Sequence, residues 1–443
     1  MTRLLPALLA AAFVLPRGCG PKETPWPSIE LDAGPYTTTE MARANNEFGI
    51  NLFKQLYDTT ARSNTLISPT SIAAALTMLW NGARGTTRDS LAEVLRITGF
   101  DTARVNPLAA ALLADILSET DRVQLEVANS AWLNEGYQFY PEYRQVLADY
   151  FNAEFFQRDL NSPDATVAIN RWVAKKTHGM IRKLIDGIPS GVVLYLLNAV
   201  YFDARWTDSF DPKRTGPGRF KLEDGSEVEH PFMSRSGEYQ TIALERFKAV
   251  RIPYGTGRFA MYIFLPGVPV EYIGHLRREM RSRGVPKAAL EDSLPKDTLL
   301  PKPQLAQFVA GLSADSLQSW ATQISESISG SSIGVRIPTF RIECSYSLQH
   351  ALELLGLGII FKPGAADLSG IASGAQLWVD TVLHKSVIDV DEYGTKAAAA
   401  TLIHARGITL MSFNADRPFL YMIRDDHTGA ILFIGTLVDP RGT

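Results

Sequence analysis

The sequence contains few cysteines, has no strong excess of either charge, and has no apolar run near the roughly 20 residues that a membrane-spanning helix needs. Its 443 residues include two Cys, too few for a disulfide framework or a multi-cysteine zinc site. Lys and Arg number 44 against 47 Asp and Glu, so the charge balance offers no basis for nucleic-acid binding. The 46% hydrophobic content is ordinary globular usage, which excludes disordered, collagen-like and coiled-coil chains.

Common catalytic and cofactor motifs are also missing. The seven His are scattered without HExxH spacing, and no glycine-rich loop suits a phosphate, so we expect no metal and no cofactor. Residues 330–334 match the G-x-S-x-G pattern of hydrolases. That motif needs a strand before the serine and a helix after it. Here a polar stretch precedes Ser332 and a strand-like stretch follows, so a Ser-rich turn is the favoured interpretation and a nucleophile at Ser332 a remote one.

The first nineteen residues resemble a signal peptide. Arg3 precedes a mainly apolar run from Leu4 to Leu15, which is too short to span a bilayer. Gly18-Cys19 follows and resembles a bacterial lipoprotein cleavage site with Cys19 lipidated, although simple secretion stays open. Residues 20–37 are rich in Pro and Gly and predict a flexible tether. We therefore expect a secreted or lipid-anchored protein of the cell envelope; the absence of Asn-x-Ser/Thr sites favours a bacterial source.

The residue pattern of the remaining chain changes from helical to strand-forming near its middle. Residues 38 to about 180 have a mainly helical pattern, and the part beyond 190 is rich in strand-forming residues. This order predicts a mixed α+β fold. Val192–Phe202 should form a buried central strand. Further strands are predicted at Ala249–Tyr254, Phe259–Leu265, Val335–Ile342, Trp378–Val390, Phe419–Ile423 and Ile431–Val438. Residues 283–308 are Pro-rich with little periodicity and predict a surface insertion.

Three local features have a specific structural interpretation. Ser68 and Pro69 suit the N-cap and first position of a helix that should end at Gly82. Cys344 lies in a strand-like stretch and is expected to be a buried, unreactive thiol. His384 is flanked by apolar alternation, which is typical of a buried histidine held by hydrogen bonds.

The segment from Glu392 to Thr401 is unusual because a run of Ala and Thr follows a strongly β-forming stretch. A short surface helix is one interpretation, since Ala is the best helix former, and a flexible linker is another. As a strand, Thr395, Ala397, Ala399 and Thr401 would share one face and Lys396 would lie on the other. Only small side chains can enter a packed interior without overpacking, which costs about 1–3 kcal/mol. The alternation therefore favours a segment that can become a buried strand.

Four blocks in the same order resemble the serpin family of serine protease inhibitors, and the resemblance covers the chain from about residue 38. They are NTLISPTSIAAALTMLWNGARGTT (64–87), LLNAVYFDARW (196–206), HKSVIDVDEYGTKAAAAT (384–401), and FNADRPFLYMI with TGAILFIGTLVDP (413–423 and 428–440). The resemblance implies one serpin domain over 38–443, built around a large central sheet, with an exposed reactive-centre loop at about 392–415.

The resemblance also implies a mechanism. A serine protease, or a cysteine protease, cleaves the loop and forms an acyl-enzyme; the freed hinge then inserts as a new strand and the protease is trapped. The protein would be a single-use inhibitor, not an enzyme, acting as a monomer in a 1:1 covalent complex. A non-inhibitory binding protein or chaperone of the same family is the alternative, and the small-residue hinge argues against it.

The resemblance assigns roles by position. The hinge comprises Glu392, Gly394, Thr395, Ala397, Ala398, Ala399, Ala400 and Thr401. A polar cluster beneath the sheet comprises Ser68, Ser71, Asn198 and His384. Trp206 matches a residue near the point where the loop first inserts.

The scissile bond has three candidates. Counting from the hinge at the family's spacing gives Ile408-Thr409, counting back from Pro418 gives Gly407, and Arg406 would suit a trypsin-like target. Ile408 is favoured and implies an elastase-, subtilisin- or chymotrypsin-like protease. Lys396 replaces an acidic residue that the family often has. No dense basic helix face is present, so activation by heparin is not expected.

Overall fold

A computed structural model describes residues 37–57, 63–118, 123–267, 282, 305–327, 332–373, 376–395 and 412–442. Several predictions fall outside these ranges. They concern Cys19, the tether up to residue 36, residues 283–304 of the insertion, the hinge from Lys396 onward, and every candidate for the scissile bond.

The described helices lie mainly in the first half of the chain, as predicted. They are α1 (Thr38–Leu56), α2 (Pro69–Gly82), α3 (Gly85–Val94), α4 (Thr102–Leu117), α5 (Pro141–Phe151), α6 (Pro163–Lys176), α7 (Leu305–Ala310), α8 (Ala314–Ser325) and α9 (Gln349–Leu352). Two irregular helical turns, Glu353–Leu357 and Gly358–Phe361, follow α9.

The described strands lie mainly in the second half. They are β1 (Thr65–Ile67), β2 (Val123–Asn134), β3 (Gln138–Phe139), β4 (Glu154–Arg158), β5 (Leu194–Arg205), β6 (Gly216–Lys221), β7 (Glu227–Glu238), β8 (Gln240–Leu244), β9 (Phe247–Tyr254), β10 (Phe259–Pro266), β11 (Ser332–Pro338), β12 (Phe340–Ser347), β13 (Ala372–Ser373), β14 (Thr381–Val390), β15 (Gly394–Thr395), β16 (Ser412–Asn414), β17 (Phe419–Asp425) and β18 (Ile431–Leu437).

These strands form three large sheets, and the α+β prediction is confirmed. The main sheet has the order β12-β14-β5-β2-β4, with β15 added on β5. A second sheet runs β1-β18-β17-β10-β9-β8, and a third runs β16-β11-β7-β6. β13 and β3 make a small separate pair. Among the described residues, no helix is both long and apolar enough to cross a membrane.

β5 is buried on both faces, as its uninterrupted apolar sequence predicts. Its even-numbered residues, including Val200 and Ala204, belong to the large core shared with the second sheet. Its odd-numbered residues, including Leu197 and Ala199, belong to a smaller core beneath α6. The main sheet is therefore a layer between two cores, and any strand added to it must have side chains that fit both.

Three predictions about elements need correction. The first half contains the twelve-residue strand β2, which was not predicted although Val123–Val127 alternate apolar and polar residues. The adjacent polar residues Asn129 and Ser130 interrupt that alternation. The predicted strand Val335–Ile342 is two strands, because the chain breaks at Thr339 and passes from the third sheet to the main sheet. The insertion does not continue to residue 308, since α7 begins at Leu305, and Phe308 stacks on Trp320.

Helix α2 has the predicted bounds but a different N-terminal interaction. Pro69 occupies its first position and Gly82 its last. The side chain of Ser68 makes no capping hydrogen bond; its backbone N–H instead donates to Nε2 of His384. Ser68 is therefore the N-cap residue, as predicted, but without a side-chain capping bond, and its backbone ties α2 to the main sheet.

Candidate functional site at the end of the main sheet

The central strands of the main sheet pair over only part of their length. β14 and β5 are parallel, and their register runs from Thr381 opposite Tyr195 to Ser386 opposite Val200. Beyond these pairs β14 continues to Val390 while bonded to β12, and β5 continues to Arg205 while bonded to β2. The two strands therefore separate at this end of the sheet, which we call the hinge end.

A short strand occupies the outermost part of this separation. After β14 the chain turns back, and β15 pairs antiparallel with β5, with Gly394 opposite Arg205 and Thr395 opposite Ala204. We call residues 391–395 the hinge segment. The first two residues of a potential new strand are thus already hydrogen-bonded beside β5.

Trp206 fixes the start of the hinge segment through its backbone and its indole. Its backbone N–H donates to the Tyr393 carbonyl at 3.1 Å, and its Nε1 donates to the Asp391 carbonyl at 2.9 Å. The indole is 1% exposed and stacks on Tyr254, with ring centroids 4.3 Å apart. Burial is the main cause that raises the pKa of Asp391.

Glu392 is held by a neighbouring loop. Its carbonyl accepts the backbone N–H of Phe210 at 2.7 Å, and its Oε1 accepts the hydroxyl of Thr215 at 2.5 Å. Thr215 directly precedes β6, so this hydrogen bond joins the hinge segment to the third sheet.

Gly394 is required by both geometry and space. Its φ is +138°, a region that residues with a Cβ rarely adopt. A Cβ at this position would lie 2.1 Å from the carbonyl oxygen of Ala204 and 2.6 Å from Cα of Arg205. Only glycine allows the chain to approach β5 this closely.

The predicted polar cluster lies where β14 and β5 are still paired. His384 and Asn198 are register partners, and Nδ1 of His384 lies 3.1 Å from Oδ1 of Asn198. Since Nε2 accepts from the Ser68 backbone at 3.2 Å, the geometry fits a neutral imidazole that carries its proton on Nδ1. Nδ2 of Asn198 donates to the hydroxyl of Ser71. The structure therefore brings all four residues together in one buried network.

Two further residues complete this network and were missed from the sequence. Asn129 on β2 accepts from Nδ2 of Asn198 at 2.8 Å, and the hydroxyl of Ser386 donates to the Leu66 carbonyl at 2.8 Å. The signal for Asn129 was a polar residue inside a strand, but β2 itself was not predicted. The network links β2, β5, β14 and the β1–α2 connection.

The two remaining candidate residues, Ser332 and Cys344, both lie in strands of the described part of the chain. Ser332 is the exposed first residue of β11 and lies opposite Glu238, so a strand and not a helix follows it, as predicted; the turn predicted before it lies outside the described residues. Cys344 is buried, and burial raises the pKa of its thiol. Within the described ranges, no three His, Cys, Asp or Glu residues are grouped to hold a metal ion.

Burial of His384 predicts a pH-dependent stability. Its pKa is lowered from an ordinary 6.5 to about 3 because the side chain is removed from water. Between these values the unfolded chain binds a proton that the folded protein does not, so stability falls as the pH drops from 6.5 towards 3. The slope approaches about 1.4 kcal/mol per pH unit. The urea unfolding midpoint, measured as a function of pH, should fall more steeply for wild type than for His384→Gln between pH 6.5 and 3. Equal pH dependence of the two proteins would contradict the prediction.

The close approach at Gly394 predicts a local defect on substitution. Gly394→Ala should displace the hinge segment and destabilise the protein by about 1–3 kcal/mol, the usual effect of a forced backbone conformation. Gly334→Ala is the matched control, because a Cβ there meets nothing within 4 Å. Urea unfolding measures the free energy of unfolding of both variants. Equal destabilisation by the two substitutions would show that the close approach of Gly394 to β5 does not require glycine.

Comparison with known proteins agrees with this architecture. The family model described as serpin (serine protease inhibitor) matches residues 43–296 and 289–440. Iripin-8 from Ixodes ricinus is 31% identical, covering 90% of this chain and 93% of its own. Human leukocyte elastase inhibitor is 30% identical, covering 90% and 100%. The crystal structure of the thermophilic serpin tengpin in its native state has a TM-score of 0.77 at 26% identity, covering 93% and 96%. The chain belongs to the serpin family.

Proposed function

We propose that this protein inhibits proteases as a suicide substrate whose cleaved loop inserts between β5 and β14. The observation that carries the proposal is β15, which already pairs antiparallel with β5 at the hinge end. A loop that extended this register would form a new central strand. The described start of the hinge thus supports insertion in one defined direction.

Extending the register of β15 places each following residue opposite a known position on β5. Ala397 would lie opposite Phe202, which is 2% exposed and belongs to the large core. Directly opposed residues share a face of the sheet, so Thr395, Ala397 and Ala399 would face this core. Lys396 would lie opposite half-buried Asp203. The alternation in the sequence and the register with β5 therefore agree on which face of the inserted strand must carry small side chains.

Insertion beyond Ala398 requires β14 and β5 to part. Ala399 would take the place opposite Val200 that Ser386 now holds, and Thr401 the place opposite Asn198. Separation would break the contact between His384 and Asn198. The polar network therefore opposes opening of the sheet before the loop is free, and we propose that this is its role.

The energetic argument concerns backbone groups. An inserted strand gains hydrogen bonds at about 0.5–1.5 kcal/mol each and buries apolar surface at about 25 cal/mol per Å². Ten or so new bonds therefore supply on the order of ten kcal/mol, which is comparable to the whole stability of a typical domain. The intact protein would be metastable with respect to its cleaved form.

The chemical step belongs to the target protease. Its serine oxygen attacks the carbonyl carbon of Ile408, the bond to the Thr409 nitrogen breaks, and the new amine leaves with a proton. The ester that remains holds the protease while the loop inserts. The name of the human relative, leukocyte elastase inhibitor, fits the protease class that Ile408 favours.

Trapping predicts a covalent product. With a panel of elastase-, subtilisin-, chymotrypsin- and trypsin-like proteases, at least one should give a band near the sum of both masses that survives boiling in detergent. Mass spectrometry of the released fragment then identifies Ile408, Gly407 or Arg406 as the cleaved residue. Cleavage by every protease without such a band would favour the non-inhibitory alternative.

The hinge register predicts the effect of charge at one position. Thr395→Arg should turn the inhibitor into a substrate and reduce the trapped fraction at least about tenfold, because a buried charge without a partner is strongly unfavourable. Lys396→Arg is the matched control, since its side chain would lie on the other face. Gel densitometry compares the two; equal trapping by both variants would refute inward packing of Thr395.

Insertion also predicts a gain in stability on cleavage. Protein cut within the loop should melt on the order of ten degrees or more above the intact form, since each kcal/mol shifts the melting temperature by a few degrees or less in a chain of this size. Differential scanning calorimetry of both forms measures this. An unchanged or lower melting temperature after cleavage would rule out insertion.

Secretion and lipidation at Cys19 stay predictions from the sequence. Metabolic labelling with a fatty acid, compared between wild type and Cys19→Ala, would test the lipid anchor.

A further inference from the structure

The chain downstream of the reactive loop is attached to the third sheet by a very short strand. β16 has three residues, which pair parallel with β11 from Gly334 opposite Ser412 to Arg336 opposite Asn414. β16 is the edge strand of its sheet, so its second edge has no strand partner among the described residues. Its backbone attachment is therefore small for a segment that anchors one end of a loop.

A lysine from the second sheet reaches this edge strand. Nζ of Lys248, on β9, donates to the carbonyl of Ser412 at 3.2 Å. The same ammonium lies 5.6 Å from the ring centre of Phe413, within range of a cation–π interaction. The Phe413 side chain is 3% exposed. Lys248 thus connects β16 to a different sheet from the one with which it pairs.

This contact lies beyond the hinge end of the main sheet. Trp206, just past β5, forms an antiparallel bridge with Tyr254, the last residue of β9. Because the bridge is antiparallel, the residues of β9 that precede Tyr254 continue past Trp206 in the direction away from β5. Lys248, near the start of β9, therefore lies beyond the Arg205 end of β5, which is the end opposite Leu194.

This position limits how far an uncut loop can insert. Pairing along all of β5 would use the chain up to residue 405, and Ser412 is seven residues further on. Seven Cα steps reach at most about 25 Å, whereas β5 from Leu194 to Arg205 is about 36 Å long at roughly 3.3 Å per residue. Full insertion without cleavage therefore requires β16 to leave β11.

We propose that Lys248 is a positioning residue that holds β16 in place and so makes loop insertion depend on cleavage. The proposal rests on the proposed function, because it concerns the same insertion. When the loop is cut, the upstream segment is free of β16 and the lysine contact does not oppose it. When the loop is whole, release of the Ser412 carbonyl from Lys248 is part of the barrier to spontaneous insertion.

The test measures spontaneous conversion in the absence of protease. Wild type, Lys248→Met and Lys248→Gln are incubated several degrees below their melting temperatures. Calorimetry then gives the fraction of high-melting protein, and mass spectrometry confirms that the chain is uncut. Loss of one charge-assisted hydrogen bond should speed conversion by about tenfold or more. Exposed Lys221→Met is the matched control, because Lys221 bonds Asp416 through its backbone N–H.

The outcomes separate this proposal from the proposed function. Faster spontaneous conversion in both Lys248 variants, with an unchanged rate of loop insertion after cleavage, supports the proposed role of Lys248 in holding β16. Conversion at the rate of wild type and Lys221→Met overturns it, even if the protein traps proteases. Hydrogen exchange at Ser412–Asn414 gives a second measurement: it should be faster in the Lys248 variants, and unchanged exchange also overturns the proposal. Failure of trapping with a faster conversion would instead contradict the proposed function alone.

Discussion

The arrangement described above depends on one incomplete strand pairing, between β5 and β14. These strands have the apolar composition and burial of a central pair, yet their register stops at Val200 and Ser386. Past this point, within the described part of the chain, each strand has a neighbouring strand on one side only, apart from the two residues of β15. Unpaired backbone groups in a sheet are unfavourable unless something satisfies them. The hinge segment lies at the open end of this separation, and the polar network lies where the two strands are still paired.

The buried network shows how such a defect is kept stable. Its members are neutral amides, hydroxyls and one imidazole, all at least 98% buried, and their hydrogen bonds offset most of the loss of water. Among the described residues, Nδ2 of Asn129 has no hydrogen-bond partner. Each bond is directional, so the network holds β2, β5, β14 and α2 at fixed distances. A patch of aliphatic side chains would give similar burial without this geometric constraint. A polar network rather than an aliphatic one therefore fixes the position at which β5 and β14 change from paired to separated.

Helix α2, the central strand β5 and four residues of the polar network could be predicted from the sequence, whereas the hydrogen bonds between distant residues could not. His384 and Asn198 are 186 positions apart, and only the family resemblance placed them together; periodicity alone gave a buried histidine without a partner. The β5 and α2 segments were predicted nearly to their ends because apolar runs and Gly or Pro signals act locally. Asn129 was missed because it and Ser130 are adjacent polar residues that interrupt the strand pattern of β2, and its burial comes from neighbours distant in sequence. The indole contact of Trp206 with Asp391 depends on backbone geometry that no local pattern encodes.

The indole bond and the left-handed conformation of Gly394 together fix the phase of any strand that grows from β15. A β-strand has a side-chain period of two, so a shift of one position exchanges its faces completely. With Trp206 bonded on both sides of Glu392, the first pair with β5 has a single geometry. A slip of one residue would turn Lys396 towards the large core and the alanines away from it. Accurate alignment at one glycine therefore determines whether a whole sequence of small residues is in the right place.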